Sequence, residues 1–215
     1  MYSASHDLRS PITSLQGLIE ITQLENNIDQ IRDYLHLMSQ SLIKQDQFLN
    51  DIIDYSKNKR KQIIIEPVSL RELFDEAISQ MMHIENARKI TITKDLLIDE
   101  IQSDSLRLKI IINNLISNAI KYADVNKQEM MISIKTYFKE GFHNIEISDN
   151  GIGIKDEFRD HIFEMYFGTN KNKGSGLGLY IVKEAVENIR GSIEVLSENT
   201  IGSKFIVAIP NAYGV

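Results

Sequence analysis

Two hydrophobic rhythms divide the chain. Ile31, Leu35, Met38, Leu42, Leu49 and Ile52 alternate at spacings of three and four, with Gln45 filling one slot. A second stripe, Tyr34, Ser41, Phe48 and Tyr55, runs beside the first at a spacing of seven. Two adjacent stripes make a face too wide for a lone surface helix, and this is the patterning of a bundle. Upstream, Leu8, Ile12, Leu15, Ile19 and Thr22 mark another helix. The break falls at Glu25-Asn26-Asn27, with Asp29 placed to help cap the second helix. Two such helices cannot bury their faces alone. A homodimer that closes a four-helix bundle completes them; docking of the pair onto the rest of the same chain is the alternative.

The rhythm lapses in the basic, polar stretch SKNKRKQ from Ser56 to Gln62, where we place a domain boundary: residues 1–62 form the hairpin and 63–215 a second domain. Beyond it the period switches between strand and helix. Ile63-Ile64-Ile65 reads as a short strand, and Pro67-Val68-Ser69 leads into a helix with Ser69 as N-cap and Glu72 at the capping-box position. Lys89 to Lys94 alternates as a strand. The stretch from Asp104 to Ala123 is a helix apolar nearly all round, through Leu106, Ile110, Ile111, Leu115, Ile116, Ala119 and Ile120, and should be central and buried. Met130 to Phe138 and Phe142 to Ser148 form a hairpin about Glu140-Gly141, and Ser192 to Leu196 and Ser203 to Ile209 are joined through Asn199 to Gly202. The expected class is α+β: a two-helix hairpin forming a dimeric four-helix bundle, then an α/β sandwich with a mixed, mostly antiparallel sheet and helices on one face.

Composition narrows the field. A hydrophobic content of 42% with 25% charged residues suits a real core, and a net charge of −6 argues against a nucleic-acid groove. The lack of cysteine excludes disulfides, thiolate zinc sites and cysteine nucleophiles, and fits a reducing cytoplasm. No run of about 18 apolar residues is present to span a membrane, and the polar start MYSASHDLRSP is no signal peptide. The expected location is cytoplasmic. A sensor or membrane tether is expected upstream, because an interesting motif lies only a few residues from Met1.

The candidate chemistry sits in two glycine-rich turns and one helix. Asp149-Asn150-Gly151-Ile152-Gly153 follows a strand, and Gly174-Ser175-Gly176-Leu177-Gly178 opens a run with helical spacing at Ile181, Val182, Ala185 and Ile189. Glycine turns joined to a helix N-terminus bring backbone N–H groups close to a phosphate, and a carboxylate at a strand end can accept from the exocyclic amine of a purine. Glycine spacing alone is weak evidence. On the apolar helix, however, Asn114, Asn118 and Lys121 lie close to one ridge, with Tyr122 beside them. Asparagine is a poor interior helix residue and costly when buried unsatisfied. Either the pair serves a ligand or metal, with Asn114 offering its oxygen to Mg²⁺ and Asn118 and Lys121 donating to phosphates, or both are structural amides bonded to neighbouring strands.

These segments resemble the sequence boxes of sensor histidine kinases of two-component systems. Asn114 to Tyr122 (NLISNAIKY) is similar to the N box, DNGIGI to the G1 box, Phe163 to Phe167 (FEMYF) to the F box and GSGLGLYIV to the G2 box. Gly202-Ser203-Lys204-Phe205 resembles the closing glycine turn and strand of the same domain, and His6-Asp7-Leu8-Arg9-Ser10-Pro11 resembles the H box of the dimerisation and phosphoacceptor domain. The match covers essentially the whole chain, in the family's order. It implies the fold shared by DNA gyrase, the heat-shock chaperone ATPase and mismatch-repair ATPases, with ATP between the N-box helix and a lid. It further implies that Asp149 holds the adenine amine while Gly151 and Gly153 let the lid start near the ligand. By the same resemblance Asn114 binds Mg²⁺, Asn118 and Lys121 meet the phosphates, and Tyr122 packs near the base or ribose. Gly174, Gly176, Leu177 and Gly178 bring the following helix against the phosphates. Lys171 and Lys173, in the lid between Phe167 and Gly174, are candidates for the outer phosphate or simply solvated charges.

In this frame His6 is the phosphoacceptor. Neutral imidazole is a competent nucleophile near pH 7, and the adjacent Asp7 can hold its tautomer and take up a proton. Pro11 should kink the helix and ease exposure of the ring. The other four histidines have no comparable neighbours and read as background. Two departures stand out. The hydrolytic relatives carry a water-activating glutamate one turn before the Mg²⁺ asparagine, where this chain has Ile110, which favours transfer over hydrolysis. Ser10 stands where strong phosphatases carry threonine or asparagine, which puts phosphatase activity in doubt. The function expected is autophosphorylation of His6 in a homodimer, then transfer to an aspartate of a response-regulator receiver domain, with no nucleic acid and no membrane contact. The alternative is a catalytically silent, nucleotide-binding dimeric scaffold that signals through conformation; a gyrase-like ATPase is disfavoured by Ile110.

Overall fold

The computed structural model describes residues 2–60, 62–82, 87–167 and 175–211, without the side chains of residues 2–10, 44, 47 and 60. The chain divides into two compact units, 1–53 and 54–215.

The first unit is helical, built from α1 (Tyr2–Leu24) and the greater part of α2 (Ile28–Arg60). Its turn is closed by side chains that satisfy the free amides: Glu25 Oε1 accepts from the N–H of Asn26 and of Asn27, each at 2.8 Å. Asn27 Oδ1 accepts from the N–H of Asp29 at 2.9 Å. The cap is therefore Asn27 rather than Asp29. Asp29 already lies in the first turn, where its carboxylate meets the positive helix end and Arg32. Ile12, Ile19, Leu35, Leu42 and Leu49, all members of the predicted stripes, remain between 45% and 56% exposed.

In the second unit a five-stranded sheet runs in the order β2 (Ile90–Leu96), β4 (Met130–Lys139), β5 (Phe142–Asp149), β7 (Gly202–Pro210), β6 (Ser192–Glu198). Only β2 and β4 are parallel; the remaining pairs are antiparallel. Glu140 and Gly141 at the β4–β5 tip take φ of 54° and 86°, the left-handed pair that suits a tight hairpin. Alternate residues Ile132, Ile134, Ile145, Ile147, Phe205 and Val207 are buried on one sheet face. The helices α3 (Leu70–Met81), α4 (Ser105–Lys121) and α6 (Gly178–Asn188) pack with that core through Phe74, Ile111, Ile116, Ile181 and Val182. A four-residue helix, α5 (Asp156–Arg159), follows the β5 turn.

Ser69 caps α3 as expected, accepting from the Glu72 N–H at 3.3 Å. The strand predicted at Ile63-Ile64-Ile65 is displaced: β1 begins at Glu66 and runs to Ser69, pairing with β3 (Glu100–Ser103). The reason is local. The Ile64 N–H is taken by the Asp104 carboxylate at 2.9 Å, and Ile63 and Ile64 stay 40% and 63% exposed, so no strand partner is engaged.

Candidate nucleotide site

The central helix carries a polar ridge on an otherwise apolar rod. Its residues Ile110, Ile111, Leu115, Ile116, Ala119 and Ile120 are buried, whereas Asn114, Asn118, Lys121 and Tyr122 are half-buried along one side. Asn114 Nδ2 donates to the Ile110 carbonyl at 2.9 Å, which turns Oδ1 outward. That oxygen is the nearest atom to the position a Cβ would take at Gly178, 2.7 Å away. Any side chain at Gly178 would sit against this oxygen. The start of α6 is thereby brought against α4. Among its first residues there is neither a side-chain cap nor an acidic group, which leaves amide hydrogens and the positive helix end for an anion.

The second wall is the turn after β5. Asp149 Oδ1 accepts from the Gly151 N–H at 2.8 Å. Burial pushes the Asp149 carboxyl up to about 6, against the opposing pull of the Gly151 and Ser203 amides and the charge of Lys127. Asn150 splices the turn into the sheet, its Oδ1 accepting from the Met131 N–H and its Nδ2 donating to the Glu129 carbonyl, both at 2.8 Å. The Ile152 N–H then reaches the Tyr122 carbonyl at 3.0 Å, tying the turn to the end of α4. A Cβ at Gly151 would lie 2.3 Å from that same carbonyl oxygen, so only glycine lets the two backbones meet. Gly153, at φ +67°, backs onto the carbonyl of Glu198, the last residue of β6. Burial also raises the Tyr122 hydroxyl above its usual range.

On the lid side Phe167 is half-buried between the rings of Phe158 and His161, 5.8 and 5.9 Å from its centroid. Gly176 turns in the left-handed region at φ +72°, hard against the Tyr166–Phe167 backbone. Leu177 is buried and donates its N–H to Ser175 Oγ at 3.1 Å, which packs it into the turn. The structure thus sets Gly178 against Asn114 and the Asp149–Gly151 turn against Tyr122, at two places along α4 with Asn118 and Lys121 between them, while Gly153 contacts Glu198 and Gly176 the Tyr166–Phe167 backbone. Lys171, Lys173 and Gly174 lie outside the described residues. His6, Asp7 and Ser10 belong to α1 by backbone, and their side chains lie outside the description.

The donor set suits a nucleotide with its magnesium ion. Magnesium prefers one or two protein oxygens plus substrate phosphates, and the outward Asn114 Oδ1 is such an oxygen. Among the described residues no cluster of three or more His, Asp or Glu competes for that role. A Cβ at Gly176 would strike the Tyr166–Phe167 backbone, and one at Gly178 the Asn114 oxygen, so both positions require glycine. Residues 103–213 match the family described as "Histidine kinase-, DNA gyrase B-, and HSP90-like ATPase", and residues 1–61 match the "His Kinase A (phospho-acceptor) domain". The chain belongs to the histidine kinase family. It is 30% identical over 217 residues to the aerobic respiration control sensor protein ArcB of Escherichia coli K12, covering 95% of this chain and 27% of ArcB. It is 27% identical over 212 residues to the signal transduction histidine-protein kinase BarA of the same organism, covering 94% of this chain and 23% of BarA. It therefore spans about a quarter of these relatives. The fold is that of histidine kinase ThkA, solved in complex with the response regulator protein TrrA, with a TM-score of 0.74 at 22% identity over 98% of this chain and 60% of ThkA. Among the described residues no helix is long and apolar enough to cross a membrane.

Two residues of this histidine kinase domain escape a reading of its sequence boxes. Arg107, almost wholly buried, pairs with Asp104 at 3.0 Å and donates to the carbonyls of Asn58 at 3.0 Å and Gln62 at 3.3 Å. It pins the segment before β1 onto the head of α4. The signal was present: a charged pair three residues apart at the head of an apolar helix must find partners inside. Lys127 lies in the α4–β4 loop, and its Nζ donates to the carbonyls of Asn150 at 2.6 Å, Gly151 at 3.3 Å and Ile201 at 2.9 Å. No local pattern announces it.

Proposed function

We propose that this chain is the catalytic core of a sensor histidine kinase in which ATP phosphorylates His6 within a homodimer. The phosphoryl group then passes to an aspartate of a response-regulator receiver domain. We assign residues 1–62 to dimerisation and phosphotransfer and 63–215 to ATP binding. The observation that carries the reading is the convergence of three features: the outward Asn114 oxygen, the uncapped start of α6 and the buried Asp149 carboxylate. A purine nucleotide needs an acceptor for its amine, an anion site and a metal ligand, and these supply one each.

Asp149 accepts from the exocyclic amine, with Tyr122 packing near the base or ribose and Phe167 closing the lid side. Asn118, Lys121 and the amides of the Gly174–Gly178 turn hold the phosphates, with Lys171 and Lys173 as outer-phosphate candidates. Asn114 holds Mg²⁺, which when bound neutralises charge on the phosphates. In the transfer step an imidazole nitrogen of His6 attacks the terminal phosphorus. The N–P bond forms as the bond to the bridging oxygen breaks, ADP departs, and Asp7 receives the ring proton. The phosphohistidine then gives its phosphoryl group to a receiver carboxylate, restoring the imidazole. Ile110, buried where a hydrolytic enzyme places its base, leaves no group there to activate water. The ThkA–TrrA complex supports a response regulator as partner. Ser10 offers a hydroxyl of short reach for orienting water, which predicts weak phosphatase activity toward that partner.

Incubation with ATP labelled on the terminal phosphate is expected to give an acid-labile, base-stable phosphoprotein, and His6→Gln to abolish it. Label that survives the substitution refutes the assignment of His6. Tight nucleotide binding with no label in the wild type would favour the silent scaffold instead.

A further inference from the structure

Three backbone segments meet behind the Asp149 turn: the α4–β4 loop, the turn itself and the β6–β7 turn. The Thr200 N–H bonds the Ile152 carbonyl at 2.7 Å, and the Ile154 N–H bonds Ser197 Oγ at 2.9 Å. A Cβ at Gly202 would lie 2.1 Å from the Asp149 carbonyl oxygen, so the β7 start presses directly on the turn. Such a junction leaves carbonyl oxygens pointing inward with few N–H groups to meet them. Lys127 fills that gap: its Nζ donates to the carbonyls of Asn150, Gly151 and Ile201 at once, using all three of its hydrogens. Two of those carbonyls belong to the turn that sets the Asp149 carboxylate; the third belongs to the turn that backs it.

We propose that Lys127 is a positioning residue for purine recognition, its ammonium clamping the Asp149–Gly153 turn to the β6–β7 turn so that the carboxylate meets the exocyclic amine of the base. This rests on the nucleotide reading given above. The clamp also acts through charge. Among the described residues Lys127 is the charged group whose field lowers the Asp149 pKa, opposing the burial that raises it; the other two opposing contributions are the uncharged amides of Gly151 and Ser203. A neutral side chain at this position therefore releases the turn and pushes Asp149 toward its protonated form. The ionised carboxylate is the stronger acceptor, because hydrogen bonds to a charged group are roughly twice as strong as neutral ones. Lys127 touches neither the base nor the phosphates in this account, and its effect travels only through the turn.

The test is a calorimetric titration of ADP, and of IDP as a probe lacking the exocyclic amine, into the full chain between pH 6 and pH 8.5. Wild type, Lys127→Met and Lys127→Arg are compared. ADP binding by the wild type should weaken as the pH falls through 6. Lys127→Met should shift that weakening upward. If the Asp149 pKa rises by about one unit, the affinity ratio of wild type to variant at pH 6 exceeds the ratio at pH 8.5 by about fivefold. The preference for ADP over IDP should fall in Lys127→Met and return in Lys127→Arg, which keeps the charge and the donors. A Lys127→Met profile that superimposes on the wild type overturns the proposal, as does a loss equal at every pH and for both bases. If the wild type binds neither nucleotide at any pH, the nucleotide reading itself falls, an outcome separate from failure of the clamp alone.

Discussion

The two units of this protein solve the problem of burial in opposite ways. In the second unit the large aliphatic residues close on one another: Ile111, Ile116, Ile134, Ile145, Ile181 and Val207 have no measurable exposure. In the helical hairpin residues that define its periodicity stay open, with Leu42 56%, Leu35 53% and Ile19 47% exposed. Apolar surface of that kind marks an interface. The sheet unit closes its own core, while the hairpin leaves an apolar face open, as the proposed homodimer requires. Under the proposed function the difference also separates their chemistry. A buried carboxylate with a tuned pKa requires a core that holds its shape, whereas a histidine that takes a phosphoryl group and then gives it to another protein requires surface.

The largest effect expected from breaking this contrast falls on the hairpin. Leu35→Asp combined with Leu42→Asp places two charges on its apolar face and should convert the dimer entirely to monomer in sedimentation, with the melting of the second unit unchanged. A variant that still sediments as a dimer would remove the hairpin from the interface. Next is Arg107→Met, which strands the Asp104 carboxylate in the interior. Breaking a buried pair from one side costs about 3–5 kcal/mol, to be read from urea unfolding followed by a probe in the second unit. Ile116→Ala sharpens the contrast further. It should cost about 2–4 kcal/mol and be independent of protein concentration, while Leu42→Ala should cost an amount that varies with concentration.

The smallest effect concerns pH. The Asp149 pKa is raised in the folded state to about 6 from a usual 3.8. Between those values the folded state holds more protons than the unfolded one, so this group weakens stability as pH rises and does so fully above pH 6. Asp149→Asn should therefore melt higher than the wild type at pH 7.5, by a few degrees, and the gap should close as pH falls toward 4. A gap that stays constant across that range would mean the carboxylate is not strained by burial.

Much of this was legible in the sequence because the relevant signals are local. The period of α2, the apolar wrap of α4, the Glu140-Gly141 turn and the glycines at 151, 153, 176 and 178 each declare themselves within a few neighbouring residues. What escaped depends on long-range contacts. β3 is only four residues long and owes its existence to pairing with β1. Three adjacent isoleucines at 63–65 carry strong strand propensity, yet the Asp104 carboxylate claims the Ile64 amide and the strand starts later. Lys127 finds its acceptors 23, 24 and 74 residues away, so no window of sequence could show that it is more than a loop lysine. Within the site the polar ridge of α4 was readable because two asparagines in an apolar helix conflict with its pattern. The orientation of Asn114 toward Gly178 was not, since it follows from how α4 and α6 pack.

The most direct test of the account is the affinity of ADP for the wild type and for Asp149→Asn at pH 7.5, measured alongside their melting temperatures. If the buried carboxylate recognises the purine, the variant loses affinity about tenfold to a hundredfold, the worth of one hydrogen bond to a charged group, while melting higher than the parent. Equal affinity in the two proteins, with the same pH dependence, would contradict it.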